Sequence, residues 1–338
     1  MFDIITVGGA TRDITFLTDK GKVIETPEDL TSQRLLAFEY GAKIRSEEVK
    51  MSFGGGASNA AATFAKMGLG VSIISRLGKD EKGREITENL KMRGIDTSLL
   101  QVDERRSSAF SFIVVDGARG EGERVIFAHK GAVNSLEIRG EDIRKAGWLY
   151  VTGMGDDWKN DLEKITQAAA EGGIRMAWNP GAAEISSGRE TLTPFLAQTE
   201  ILILNKDEAI ELASSARENT LSVDDLNDVL KLIREIGSWG VKVVVITDGR
   251  NGAYVNAGGS VRRASAILER QADTTGAGDA FGSGFVAGYM ISADPETALK
   301  FAILNSSGEV TEFGAENGIM TREEIESRLY SVSIDEAD

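Results

Sequence analysis

Asp273-Thr274-Thr275-Gly276-Ala277-Gly278-Asp279-Ala280-Phe281-Gly282-Ser283-Gly284-Phe285 passes from small and polar residues, through an acid, into an apolar run. Phe281, Phe285, Val286 and Tyr289 follow at helical spacing, which predicts a loop entering a helix at its N-terminus. Such an end presents unpaired N–H groups and the positive end of the macrodipole. Gly276, Ala277 and Gly278 leave it bare enough for a phosphate to reach the backbone. Asp279 would repel an anion held there unless it has a part in the chemistry, and accepting the proton of an incoming hydroxyl is such a part. A plainer reading stands beside this one: Asp279 stabilises the first turn through the dipole and is otherwise idle. Gly276, Gly278 and Gly282 are spaced GxGxxxG, not the GxGxxG of a dinucleotide turn, and they come late in the chain. No Walker-type phosphate loop occurs, so this turn would have to do that work.

Upstream, apolar runs at 148–152, 174–178, 201–204 and 243–247 alternate with helical segments, which predicts a parallel sheet. Ligands of such sheets bind at the carboxyl edge of the strands. One strand ends in Asn205-Lys206-Asp207-Glu208, which puts the side chains of Asn205 and Glu208 on one helical face. Oxygen ligands suit magnesium, which keeps its own waters and needs few carboxylates; an Asn cap followed by first-turn acids is the alternative. Thr247-Asp248-Gly249-Arg250 follows its strand in the same way and either borders a nucleotide or makes a polar turn. After Ser222 as cap, Val223, Leu226, Val229, Leu230 and Ile233 predict one amphipathic helix ending at Gly237. Asp294-Pro295 and Thr321 to Glu324 open two more helices, and 334–338 is expected to fray.

The N-terminal half begins with Ile4-Ile5-Thr6-Val7, a buried strand stopped by Gly8-Gly9. Asp13 is placed just beyond that strand, to bind polyol hydroxyls or simply to cap a turn. Phe53-Gly54-Gly55-Gly56-Ala57-Ser58-Asn59 leads into an Ala-rich helix ending at Gly68, with Ser58 or Asn59 as candidate cap. The glycines let a small ligand sit against the backbone, or they serve close helix–sheet packing; the Asn59 amide offers both donor and acceptor. Residues 109–115 and 124–128 flank a glycine-rich stretch and predict a long-looped hairpin that breaks the βα rhythm. With the irregular segment after Asp13, this suggests a small β appendage from two insertions, about 14–53 and 104–130, on one domain spanning 1–338.

Composition narrows the chemistry. Zero cysteines exclude disulfides and thiolate catalysis, and a single histidine, His129, cannot build a histidine metal cluster, so a structural role is expected for it. A formal charge of −15 argues against nucleic-acid binding, which needs clustered Lys and Arg. No apolar run has membrane-spanning length and no export pattern opens the chain, so a cytoplasmic protein without a membrane partner is expected.

Taken together, these stretches resemble the ribokinase-like, or PfkB-type, carbohydrate kinases over nearly the whole chain. Residues 273–281 look like the family's C-terminal signature and Gly54 to Asn59 like its N-terminal one. Asn205 to Glu208 is similar to its NxxE motif, Asn179-Pro180-Gly181 to its Asn-Pro loop, and Arg124 lies in a hairpin like its lid. The resemblance implies a doubly wound, mainly parallel α/β sheet flanked by helices, with a small β-sheet lid. It implies an ATP- and Mg2+-dependent kinase of a sugar hydroxyl, with Asp279 as base and the Gly276, Ala277 and Gly278 amides as anion hole. Asn205 and Glu208 would organise magnesium and triphosphate, and Thr247, Gly249 and Asn305 would lie on the nucleotide side. Asp13, Gly55 and Asn59 would bind the acceptor; Asp273 and Thr275 would contribute to a monovalent-cation site, K+ in many relatives; the lid would pair two copies. A nucleoside kinase of the same family, or a silent sugar- or nucleotide-binding sensor, are the alternative expectations. Gly-Gly-Gly-Ala-Ser-Asn departs from the Gly-Gly-Lys-Gly pattern of ribokinases and phosphofructokinases.

Overall fold

Strands made of β-branched runs with both faces buried need helices on both sides. A computed structural model describes residues 1–26, 34–46, 48–116, 124–216, 221–268 and 272–337. Among these residues, Val71–Ile74, Phe2–Val7, Ala146–Val151, Arg175–Trp178, Ile201–Asn205 and Val243–Thr247 lie side by side in that order, all parallel. Ala253–Ala257, Ser260–Ala264 and Asp335–Glu336 extend the sheet antiparallel to nine strands. Successive residues alternate between two cores: Ile201, Ile203, Val243 and Val245 face one, Leu202, Leu204, Val244 and Ile246 the other. Helices Gly56–Lys66, Ala277–Ser292 and Pro295–Glu309 cover the first face, and Trp158–Gly172, Lys206–Ser214 and Val229–Gly237 the second.

Two of these helices approach unusually closely. A Cβ on Gly284 would lie 3.1 Å from that of Asn305, and one on Gly288 would lie 2.8 Å from that of Phe301. Only glycine leaves room for this seam between Ala277–Ser292 and Pro295–Glu309. In it Asn305 is fully buried; its amide donates to Ala280 O at 2.8 Å and accepts from Met320 N at 3.0 Å.

A four-stranded sheet runs in the order Arg124–His129, Phe110–Asp116, Thr11–Thr18, Glu48–Gly54. The first two form the expected hairpin, whose glycine-rich connection, 117–123, lies outside the described residues, as do 27–33 and 47 of the irregular segment. Lys22–Glu25 and Arg34–Ala37 pair as a separate ribbon.

Four expectations are corrected. Asp13 lies within a strand rather than in a turn. The helix at Gly56 has Gly55 as N-cap without a side-chain cap, because Gly9 O receives the amides of Ala57 and Ser58, and the side chains of Ser58 and Asn59 turn elsewhere. The helix expected after Ser222 breaks at Asp228, whose extended backbone and side-chain bond to Leu230 N start a new helix, since a side chain that caps competes with helix continuation. Finally, Asp335–Glu336 does not fray but pairs with Arg262 and Arg263, with Glu336 3.2 Å from Arg262.

Candidate active site

The parallel sheet reverses its winding between Phe2–Val7 and Ala146–Val151, and the crevice at such a point is where ligands bind. Glycines let the chain ends converge there. Gly55, at φ 94°, would carry a Cβ only 2.6 Å from Gly9 O, and one on Gly56 would lie 3.0 Å from Thr152 Cβ. Close backbone packing therefore accounts for these two glycines.

The Ala277–Ser292 helix begins at Gly276, which is left-handed at φ 83°. The intrahelical series starts with Ala280 N on Gly276 O at 2.8 Å, so the amides of Gly278 and Asp279 stand at the open end; that of Ala277 reaches Thr274 O at 3.3 Å. Asp273 braces the turn: its carboxylate accepts from Thr275 N at 2.9 Å and Gly314 N at 3.1 Å. The hydroxyl of Thr275 is buried and has no partner among the described residues.

Asp279 receives a hydrogen bond from Asn59 Nδ2 at 2.7 Å, across 220 positions of sequence. This joins the two signature stretches in one contact. Burial pushes the Asp279 carboxyl above the ordinary range, the Asn59 bond and the Arg124 guanidinium pull it down, and Glu316 pushes it up. Asp13, buried and bonded by Thr11 Oγ1 at 2.9 Å, is also raised by burial, and it too feels Glu316. Its cross-strand neighbours are Ser52 and Ser111, so the covered face of the small sheet is polar around Asp13, with Ile113 buried two residues further along.

Asn205 and Glu208 cap the Lys206–Ser214 helix reciprocally, each side chain accepting from the other's amide at 2.8 Å. Capping and a metal role are thus compatible at this helix start. Burial, with the charges of Asp279, Asp207 and Glu211 nearby, pushes Glu208 up to about 7. A carboxylate crowded by acids gains most from a cation.

Beside the turn opens a cavity of about 760 Å³, bordered by Thr247, Gly249, Thr274, Gly278 and Phe281, with Ile303, Ser306 and Val310 from the neighbouring helix. Asn305 does not reach it; its amide is used in the helix seam, and the adjacent Ser306 and Ser307 face the cavity instead. A nucleotide contact from Asn305 is therefore withdrawn. His129 lies exposed on the small sheet with its ring 5.0 Å from that of Phe110.

Sequence reasoning placed Arg124 in a lid-like hairpin without giving it a role in the site, and passed over Glu316. Arg124 comes down from the hairpin onto the Thr274 hydroxyl and lines the cavity; its place on the strand face shared with Ile126 was the available signal. Glu316 lies buried in the loop after Pro295–Glu309, and only its small neighbours, Gly314, Ala315 and Gly318, hinted at close packing.

An acid beside an open helix end, next to a cavity of nucleotide size, is the equipment of a phosphotransferase that uses an alcohol acceptor. The chain belongs to the pfkB family of carbohydrate kinases, whose profile matches residues 28–322. It is similar to the ATP-dependent ribose-1-phosphate kinase of Halopiger xanaduensis, with 28% identity over 92% of this chain and 92% of the relative. The nucleoside kinase of Burkholderia thailandensis in complex with inosine has the same fold, with a TM-score of 0.78 at 20% identity over 97% of this chain and 98% of that one. The ribokinase of Arabidopsis thaliana complexed with ribose and ATP does so too, with a TM-score of 0.77 at 20% identity over 97% and 98%. Among the described residues no helix is long and apolar enough to cross a membrane.

Proposed function

We propose that this carbohydrate kinase transfers the γ-phosphate of ATP directly to a sugar hydroxyl, with Asp279 as general base. The observation that carries the residue assignment is the Asn59–Asp279 bond at the open helix end beside the cavity. Asp13, Asn59 and the backbone at Gly55 hold the acceptor. Asn59 Oδ1 is buried without a partner among the described residues, which fits it to accept from a ligand hydroxyl. The acceptor O–H gives its proton to Asp279, its oxygen bonds to the γ-phosphorus, and the bond to the bridging oxygen breaks as ADP takes the electron pair. The turn Gly276, Ala277 and Gly278, through the open amides of Gly278 and Asp279 with that of Ala277 turning from Thr274 O, and the Arg124 guanidinium meet the charge that shifts during transfer. Thr247, Gly249 and Asn205 border the nucleotide. The chain acts as one ribokinase-like unit, 1–338, with the segments about 14–53 and 104–130 as its lid, and a cytoplasmic location, where ATP is supplied, is part of this reading.

Magnesium, when bound, neutralises triphosphate charge; Glu208 is the residue that would hold it, through water. Glu208→Gln is expected to raise the Mg2+ concentration for half-maximal rate by about tenfold or more, as loss of an ordering group at a metal does. Unchanged Mg2+ saturation would remove Glu208 from this role. Asp273 and the unpartnered Thr275 hydroxyl fit a monovalent cation such as K+.

ADP release measured over ribose, ribose 1-phosphate, other sugars and inosine, with K+ or tetramethylammonium present, tests the reading. Turnover with inosine alone would select a nucleoside kinase, which the inosine-bound structural neighbour keeps in view. Thermal stabilisation by these ligands without ADP formation would select the silent sensor.

The uncovered face of the small sheet carries Ile14, Phe16, Val49, Met51, Phe112, Val114, Val125 and Phe127 in register. Phe127 is 61% and Met51 64% exposed, which inverts the usual pattern of an apolar inside. A second copy of this chain is the proposed cover. Sedimentation is expected to show a dimer that Phe127→Lys converts to monomer; a wild-type monomer at all concentrations refutes it.

A further inference from the structure

The loop joining Pro295–Glu309 to Arg322–Glu326 buries an acid that the reaction above does not use. Glu316 is 2% exposed. Its Oε1 accepts from Ser58 Oγ at 2.7 Å; its Oε2 accepts from Asn89 Nδ2 at 2.9 Å and pairs with Arg93 Nε at 2.8 Å. Arg93 also donates to Glu316 O at 2.9 Å and to Asn317 Oδ1 at 3.2 Å. Just before it, Gly314 N–H donates to Asp273, and Ala315 abuts the anion-hole turn so closely that a Cβ on Gly276 would lie 2.5 Å from its own. One short loop therefore touches the phosphate-side turn and, through Ser58, the helix that carries Asn59. The contacts close a ring: Asp279 to Asn59, along the helix to Ser58, across to Glu316, back along the loop to Gly314 and Ala315, and onto Asp273 and Gly276.

Apolar side chains of similar volume hold a loop as well as a buried ion pair does, so packing alone gives no reason for an acid here. We infer that Glu316 is a positioning residue for phosphoryl transfer: through Ser58 it fixes the first turn of the Gly56–Lys66 helix so that Asn59 meets Asp279, and through its own loop it fixes the anion-hole turn. The acceptor half and the phosphate half of the site then share one register. This rests on Asp279 being the base.

The charged and titratable groups that face Asp279 are Arg124 from the small sheet, Glu316 from this loop, and Tyr150 and Glu208 from the large sheet side. Glu316 itself faces Arg93 and the neighbouring Glu309. Its negative charge makes Asp279 hold its proton more tightly, so removing the charge moves the acidic limb of the rate profile to lower pH.

Glu316→Gln and Ser58→Ala are compared with wild type for kcat, KM and pH profile, with thermal unfolding as a check on folding. Glu316→Gln is expected to lower kcat by ~10- to 100-fold, the scale of a displacement on the order of 1 Å between reacting groups, with nucleotide KM changed by less than about threefold. Its acidic limb shifts to lower pH. Ser58→Ala, which removes one hydroxyl and keeps the Arg93 pair, gives the same split between kcat and KM, smaller in size. Wild-type kcat in folded Ser58→Ala, together with an unmoved limb or wild-type kcat in Glu316→Gln, overturns the inference. Should Glu316→Gln fail to fold, Ser58→Ala alone decides: reduced kcat with unchanged nucleotide KM supports it, and wild-type kcat overturns it. Turnover retained in Asp279→Asn would instead overturn the base assignment beneath it.

Discussion

Asp279→Asn is expected to lower kcat by roughly 100- to 10,000-fold, the range that a positioned general base contributes, while ATP binding measured by calorimetry changes little. The substitution keeps the side-chain volume and leaves an oxygen to receive the Asn59 amide, now 2.7 Å from the carboxylate. What it removes is the capacity to take a proton. The cavity proposed for the nucleotide is bounded by Thr247, Gly249 and Phe281, and Asp279 is not among the residues that line it. Wild-type kcat should also fall on acidification with a midpoint above the usual aspartate range, because burial raises the Asp279 pKa and the reaction needs its ionised form. In Asp279→Asn that limb disappears. Near-normal turnover in the variant would end the mechanism.

The second large effect concerns two glycines in one turn that respond in opposite ways. Gly276 is left-handed at φ 83°, and an added Cβ would lie 2.5 Å from Ala315 Cβ and 2.6 Å from its Cα. Gly276→Ala therefore combines about 1–2 kcal/mol of backbone strain with a clash against backbone that cannot step aside. Both stability and kcat fall, the latter by ~100-fold or more, since the amides that receive the phosphate are displaced. At Gly278 no heavy atom lies within 4 Å of the corresponding Cβ, and its backbone is already helical. Gly278→Ala should be neutral or up to about 1 kcal/mol more stable, from helix propensity. Its kcat still falls, because the methyl group stands where phosphate must approach. Thermal unfolding and kcat measured together separate the two cases; wild-type behaviour of Gly276→Ala in both would show that the turn is not the anion site.

Much of this architecture was legible because local chemistry and tertiary need agree. Ile201 to Leu204 can only be a buried strand, Asp294-Pro295 starts a helix wherever it falls, and the glycines before Asp279 announce an open helix end. Asn59 and Asp279 were both readable as site residues, although nothing local says that they touch. The misreadings share one cause. Ser58 has the chemistry of a cap but its hydroxyl is claimed by Glu316, 258 positions away. Asn305 has the chemistry of a ligand contact but its amide is consumed by Ala280 O and Met320 N. Asp228 breaks a well-patterned helix because it caps the next one. A sequence shows what a side chain can do, while its partner is settled by the fold.

The seam at Gly284 and Gly288 has a mechanical consequence. Helices that touch almost backbone to backbone, clasped by a buried Asn305, have no room to slide or tilt against each other. The end proposed to receive phosphate is thus a fixed anvil. On the proposed function, gating that admits sugar and releases product would fall to the small sheet, which holds Arg124 at its rim and presses Asp13, Thr15, Ser52 and Ser111, with Ile113, against the rest of the molecule. The pace of a catalytic cycle would then be governed by how often that sheet lifts, with the Asp279 turn standing still throughout.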